Sequence, residues 1–209
     1  MLDLEKVGST LRREAGHTFI REGEESDFVP LIKKGHVKVL AGTPSRIVAI
    51  RGPNEIIGDT GVLRREPRSA TVVAWDDVVE VLHVSDIEWL RFLYEHRRAM
   101  HAQLVASEER LQQATRKIVE SDLAVERRLA KALIELVDRG LTSRTDDILT
   151  VRLAQKDLAS LTGSSVEAVK KIVKLFKEND LIDTGRLSLR ITDVSTLRAI
   201  ANGKPTASR

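Results

Sequence analysis

Two groups of residues in this 209-residue chain have the types and spacing needed to hold anions. The first is Gly58-Asp59-Thr60-Gly61 with Arg68-Ser69, a step of ten residues from Gly58 to Arg68. A glycine ahead of a short helix lets backbone N–H groups point at a phosphate. An arginine adds a charge-assisted contact that can be bidentate, and a hydroxyl beside it adds one more donor. Arg68 and Ser69 are therefore candidates for gripping a cyclic phosphate. The second group lies in residues 165–177, where Lys170, Lys171, Lys174 and Lys177 stand against a single acid, Glu167. Such a helix is either a solvated face or a phosphate-binding one, and its sequence neighbours decide between them.

Composition narrows the chemistry. Cysteine is absent. That removes disulfides, thiolate zinc sites, cysteine-ligated iron–sulfur clusters and cysteine nucleophiles. Aromatic residues are only 3%, which disfavours a stacking platform for single strands. None of His17, His36, His83, His96 and His101 stands out as a haem or metal ligand, so no metal site is expected. There is no His-Glu-x-x-His, no phosphate-binding P-loop and no obviously placed carboxylate pair, so no catalytic residue and no enzyme is expected. Residues 1–14 mix acids and bases without the apolar stretch of a signal peptide, and no apolar run is long enough to span a bilayer. A cytoplasmic location follows as the expectation. The net charge of +3 is unevenly spread: 121–209 holds 16 basic and 12 acidic residues, while the rest is close to neutral.

Punctuation then divides the chain. Glycine recurs every 3 to 12 residues from Gly8 to Gly61 and is then missing until Gly140. Short Val/Ile-rich runs lie between those turns: Phe28 to Ile32, His36 to Leu40, Arg46 to Ile50, Glu55 to Ile57, Ala70 to Ala74 and Val78 to Val84. Many short strands at this spacing predict an all-β sandwich, jelly roll or barrel. From Ser85, with Glu88 three residues on, a capping box opens a helical region. Leu104, Leu111, Ile118 and Val125 then recur every seven residues, with Met100, Ser107, Ala114 and Ser121 on the other seam row. That predicts one long helix, or two in series, that pairs with a second copy of itself or lies on its own β-domain. Helices are also predicted over Asp122 to Asp138, Gln155 to Leu161 and Ser165 to Lys177. A short strand is predicted at Ile148 to Val151 and a hairpin over Leu181 to Ile191, turning at Thr184-Gly185-Arg186. The tail after Ala201 reads as disordered. Two short helices around Thr162-Gly163-Ser164, the second basic, followed by a basic hairpin, have the layout of a winged helix-turn-helix.

In this order the motifs resemble those of the CRP/FNR family of dimeric transcription regulators. Ile57-Gly58-Asp59-Thr60-Gly61-Val62-Leu63 followed by Pro67-Arg68-Ser69-Ala70 resembles the family's phosphate-binding cassette. Leu153 to Ala159, then Gly163-Ser164-Ser165 to Val169 and Leu175, is similar to its helix-turn-helix. The resemblance spans roughly residues 15 to 200. It implies an α+β chain with three parts. An N-terminal double-stranded β-helix (jelly-roll) sensor domain takes residues 1–84, a long dimerisation helix 85–121, and a C-terminal winged helix-turn-helix 122–209.

The resemblance also implies site residues. Gly58, Asp59, Arg68, Ser69 and Thr115 would bind an effector, possible effectors being cyclic AMP or another nucleotide. No other cofactor is implied. Two departures bear on this. Asp59 stands where cyclic-AMP binders carry the one-methylene-longer Glu, and Gln113-Ala114-Thr115 leaves a single hydroxyl where they offer a Thr-Ser pair. For DNA, Ser165, Val166, Glu167 and Lys171 would face base edges, while Ser164, Lys170, Lys174 and Arg186 would hold phosphates. Val166 stands where many members carry arginine, which implies a different base preference there. The partners implied are double-stranded DNA, a second copy of the chain and RNA polymerase, with no membrane. Two further readings stay open: an effector-independent regulator with a degenerate pocket, and a cyclic-nucleotide-binding interaction module without a DNA role.

Overall fold

The computed structural model describes residues 2–141, 143–145, 148–151, 153–185 and 188–204. The chain folds into two compact units, 1–113 and 114–209.

The first unit opens with helix α1 (Leu2–Val7) and strands β1 (Ser9–Glu14) and β2 (Thr18–Ile20). Then come β3 (Phe28–Lys34), β4 (Val37–Ala41), β5 (Arg46–Arg51), the short helix α2 (Asp59–Arg64), β6 (Thr71–Ala74), β7 (Val78–Ser85) and α3 (Asp86–Glu95). The strands form two antiparallel sheets, ordered β1-β7-β3 and β2-β6-β4-β5. Alternation along the strands sends one set of side chains inward. Ile20, Ile32, Val37, Ile57, Val72, Ala74, Val79 and Val81 form one core that draws on both sheets. The opposite parity of β3 and β7 gives Val29, Leu31, Leu82 and Val84, which pack with Leu4, Trp89 and Leu93 of α1 and α3. The roll therefore presents a second apolar face that the helices cover.

Helix α4 (Arg97–Glu120) follows α3 after a break at His96. Its imidazole stacks on Phe92 at 4.4 Å, and Nδ1 lies 2.9 Å from the Phe92 carbonyl oxygen. The His96 backbone is extended, with φ of −119° and ψ of 92°, so the two-in-series reading is the one observed. The seven-residue repeat also overruns its helix. The helix ends at Glu120, and Val125 begins a separate one, α5 (Val125–Asp138). Leu104, Leu111 and Ile118 are 61–72% exposed, so the predicted seam row faces outward. Met100, assigned to the small-residue row, packs instead against the core beneath α3.

The second unit continues with β8 (Ser143–Thr145), β9 (Ile148–Val151), α6 (Gln155–Thr162), α7 (Val166–Glu178), β10 (Ile182–Gly185), β11 (Ser188–Ile191) and α8 (Val194–Ala201). Its sheet is ordered β10-β11-β9-β8. Leu129, Leu133 and Leu136 of α5, Leu158 of α6, Val169, Val173 and Phe176 of α7, and Leu197 and Ile200 of α8 are all buried.

The sequence pattern did not mark α1, β1, β2, β8 or α8. Strand β1 is the clearest case: it is mostly polar and largely exposed, and pairing with β7 from Ser9↔His83 to Glu14↔Val78 makes it a strand. The predicted run Glu55 to Ile57 is not a strand but a single bridge, Leu31↔Ile56. Residues 186–187 of the predicted hairpin turn, and 205–209 of the tail, lie outside the described residues. No described helix is long and apolar enough to cross a membrane.

Candidate effector site and nucleic-acid interface

The cassette is built on α2. Gly58 caps its start with φ of 75°, a left-handed conformation that suits glycine. A side-chain carbon at Gly58 would sit 2.5 Å from Arg68 Nη1, so the residue is constrained by space as well as by angle. Arg68 is 4% exposed and lies over the Phe28 ring at 4.5 Å. It donates to the Gly58 carbonyl at 2.8 Å and to the Phe28 carbonyl at 2.7 Å. Burial pulls this guanidinium below the usual arginine range, opposed by the charges of Asp27, Glu24 and Asp86. Ser69 next to it is exposed.

Asp59 begins α2 and is 2% exposed. Its carboxylate accepts two bonds from Arg110 of α4, at 3.1 and 2.6 Å, and a third from the Gln103 amide. Arg110 also donates to the Ser107 hydroxyl at 3.2 Å. Arg51, 8% exposed on β5, donates to Gln113 Oε1 at 3.0 Å. Gly58, Asp59 and Arg68 are thus brought together, and Ser69 lies at their edge. Thr115 is exposed on α4, in the second compact unit.

Arg110, Gln103 and Arg51 belong to no motif in the sequence. A faint signal was present for the first two: Gln103, Arg110 and Gln113 follow helical spacing, a polar row on the face away from Leu104 and Leu111.

The helix-turn-helix is built in the second unit. Asp157 accepts from the Ala154 backbone N–H at 3.2 Å, which caps α6. Gly163 ends that helix with φ of 59°, and Ser164 N donates back to the Ala159 carbonyl at 2.9 Å. Ser165 caps α7 by accepting from Ala168 N at 3.1 Å. With Val169, Val173 and Phe176 buried, the outward face carries Ser165, Glu167, Lys170, Lys171 and Lys174, all exposed, with Val166 half-buried at the helix start. Lys174 pairs with Glu178 at 3.6 Å and Lys177 with Asp183 at 3.3 Å. Lys170 and Lys171 have no ion pair among the described residues. Arg186 lies outside the described residues.

Ser164 is already engaged. Its hydroxyl accepts from Arg128 Nη2 at 2.9 Å and donates to the Thr162 carbonyl at 3.3 Å. Arg128 Nη1 donates to the Ser121 carbonyl, while Nε is buried without a partner among the described residues. One arginine of α5 therefore grips both the turn of the motif and the residue that follows α4.

Two family descriptions match the sequence: residues 10–96 match the cyclic nucleotide-binding domain, and residues 127–200 match the Crp-like helix-turn-helix domain. The chain belongs to the CRP/FNR family. Its two modules are those of an effector-controlled, DNA-binding transcription regulator. It is 29% identical over 189 residues to the CRP-like cAMP-activated global transcriptional regulator of Mycobacterium tuberculosis, covering 87% of this chain and 83% of that one. It is 25% identical over 195 residues to the cyclic AMP receptor protein of Thermus thermophilus, covering 90% and 86%. In fold, this CRP/FNR-family chain is similar to the c-di-GMP-responsive global regulator CLP of Xanthomonas campestris, with a TM-score of 0.79, 19% identity, and 92% and 98% of the two chains covered. It is likewise similar to a CRP/FNR-family regulator of Thermus thermophilus, with a TM-score of 0.77, 20% identity, and 94% and 100% covered.

Proposed function

We propose that this chain is a homodimeric, cytoplasmic regulator that reads a palindromic DNA site and answers to a nucleotide effector, with cyclic AMP the first to test. Residues 1–84 act as the sensor, 85–121 as the dimerising segment and 122–209 as the DNA-reading head. The observation that carries the reading is the outward face of α7, where Lys170 and Lys171, without an ion pair among the described residues, stand beside Ser165 and Glu167. Lys170, Lys174, Ser164 and Arg186 contact phosphates and set register. Ser165, Val166, Glu167 and Lys171 meet base edges, with Glu167 accepting from a cytosine amino group and Lys171 donating to guanine. RNA polymerase is the partner through which such binding acts.

In the sensor, Gly58, Asp59, Arg68, Ser69 and Thr115 are the proposed effector contacts. One observation favours the alternative, an effector-independent regulator. Arg68 already donates to two backbone carbonyls, and Asp59 is already held by Arg110 and Gln103. An incoming cyclic phosphate must replace bonds the fold has made for itself.

The test is fluorescence anisotropy on a palindromic site selected from a random library, with and without cyclic AMP, in the wild type and in Arg68→Ala. Cyclic-AMP-dependent binding lost in Arg68→Ala supports the effector reading. Tight binding indifferent to both supports the alternative. No specific, salt-dependent binding under either condition rejects the DNA role.

A further inference from the structure

A cavity lies in the first unit, away from the cassette's Arg68 and Ser69. It measures about 540 Å³ and lies between α4 and the covered face of the roll. Small-molecule sites fall in the range of roughly 300–1,000 Å³. Its floor is Leu31, Trp89 and Phe92. Its helical wall is Ala99, Ala102 and Ala106, spaced three and four apart, so the inner face of α4 is hollowed for two turns. At about 100° per residue this face is opposite Leu104 and Leu111, so pairing of α4 through that row leaves the cavity open.

Two observations say what fits. The floor is apolar and aromatic. The ends differ in charge. Arg98 lines one end and Glu109 the other, about 16 Å apart along the helix, and neither has an ion pair among the described residues.

We propose that this cavity is a second ligand site, separate from the phosphate cassette, that takes a small aromatic anion with its acid group beside Arg98. Gln103 and Arg110 line the cavity as well as holding Asp59, so the occupant touches the two side chains that anchor the cassette's carboxylate.

The probe is 1-anilinonaphthalene-8-sulfonate, titrated into the full-length protein carrying Trp75→Phe, which leaves Trp89 as the sole tryptophan. The expected result is one saturable site per chain with quenching of Trp89 emission. Ala102→Phe, at an exposed helix position that does not threaten folding, should weaken binding at least tenfold by filling the cavity. Arg98→Glu should weaken it several-fold, and Arg68→Ala should leave it unchanged. Binding that persists in Ala102→Phe, that does not saturate at one site, that ignores the charge at 98, or that disappears with Arg68 overturns the proposal.

Discussion

Arg110 reaches the Asp59 carboxylate with both terminal nitrogens, at 3.1 and 2.6 Å, and so joins α4 to the first residue of α2 across 51 positions of sequence. The carboxylate is almost fully buried, while Arg110 keeps a quarter of its side chain in solvent. A buried carboxylate that loses its cation is costly, so Arg110→Ala should destabilise the first unit by roughly 3 kcal/mol. Asp59→Asn combined with Arg110→Ala should recover part of that loss. Urea unfolding of the two variants checks both statements, and an Arg110→Ala protein as stable as the wild type would contradict them.

The two lysines of α7 without ion pairs among the described residues lead to a prediction about salt. Each phosphate contact contributes about 0.9 to the slope of log affinity against log salt. Lys170→Ala with Lys171→Ala should therefore flatten that slope by about 1 to 2, Lys171 being counted for a base edge as well. Glu167→Ala should leave the slope alone and relax the preference at one base pair by roughly 1–3 kcal/mol. Anisotropy titrations at several salt concentrations separate the two effects. An unchanged slope in the double variant would remove α7 as the DNA-facing element.

The exposed row of α4 makes a prediction about assembly. Leu104 and Leu111 expose more than half their surface. Replacing both with Glu places like charges in the proposed dimer seam, where charge is strongly disfavoured. Sedimentation should then report a monomer whose circular dichroism matches that of the wild type. A variant that remains dimeric would move the interface elsewhere.

Arg128 and Ser164 should be energetically coupled. The charged donor and the hydroxyl are 2.9 Å apart and partly buried. A double-mutant cycle with Arg128→Ala and Ser164→Ala should return a coupling of about 1–2 kcal/mol in stability. Strict additivity would mean that the contact carries no energy.

Acid should loosen the wing. Asp183 is held below the usual aspartate range by the Arg190 guanidinium first, then by the Thr184 backbone N–H and the Lys177 ammonium. A folded-state pKa depressed in this way contributes stability above the unfolded value of about 3.9, and that stability is lost as pH falls through the folded value. Asp138, bonded to Arg198 between α5 and α8, behaves the same way. Carboxyl NMR titration should place both midpoints below that of a free aspartate. A midpoint at or above it would show that the pairs do not persist in solution.

Much of the architecture was legible from residues alone because it rests on short-range rules. Glycines repeated at turn spacing marked the roll, and a capping serine at 85 marked the start of α3. The Gly163 turn between two short helices, with lysines beyond it, marked the DNA-reading motif and its exposed face. Gly58 and Arg68 could be paired because their spacing is local. Partners far apart in the chain could not be read. Polar β1 is a strand only because β7 offers it a ladder, and His96 interrupts a helix that contains neither glycine nor proline. The tertiary structure alone decided that Asp59 meets Arg110 and Gln103, that Arg68 is already engaged by carbonyls, and that Arg128 ties Ser164 to Ser121. It also decided that three alanines of α4 leave a space. Periodicity determines which face a side chain occupies, but only the packed fold brings a specific group within hydrogen-bonding distance of it.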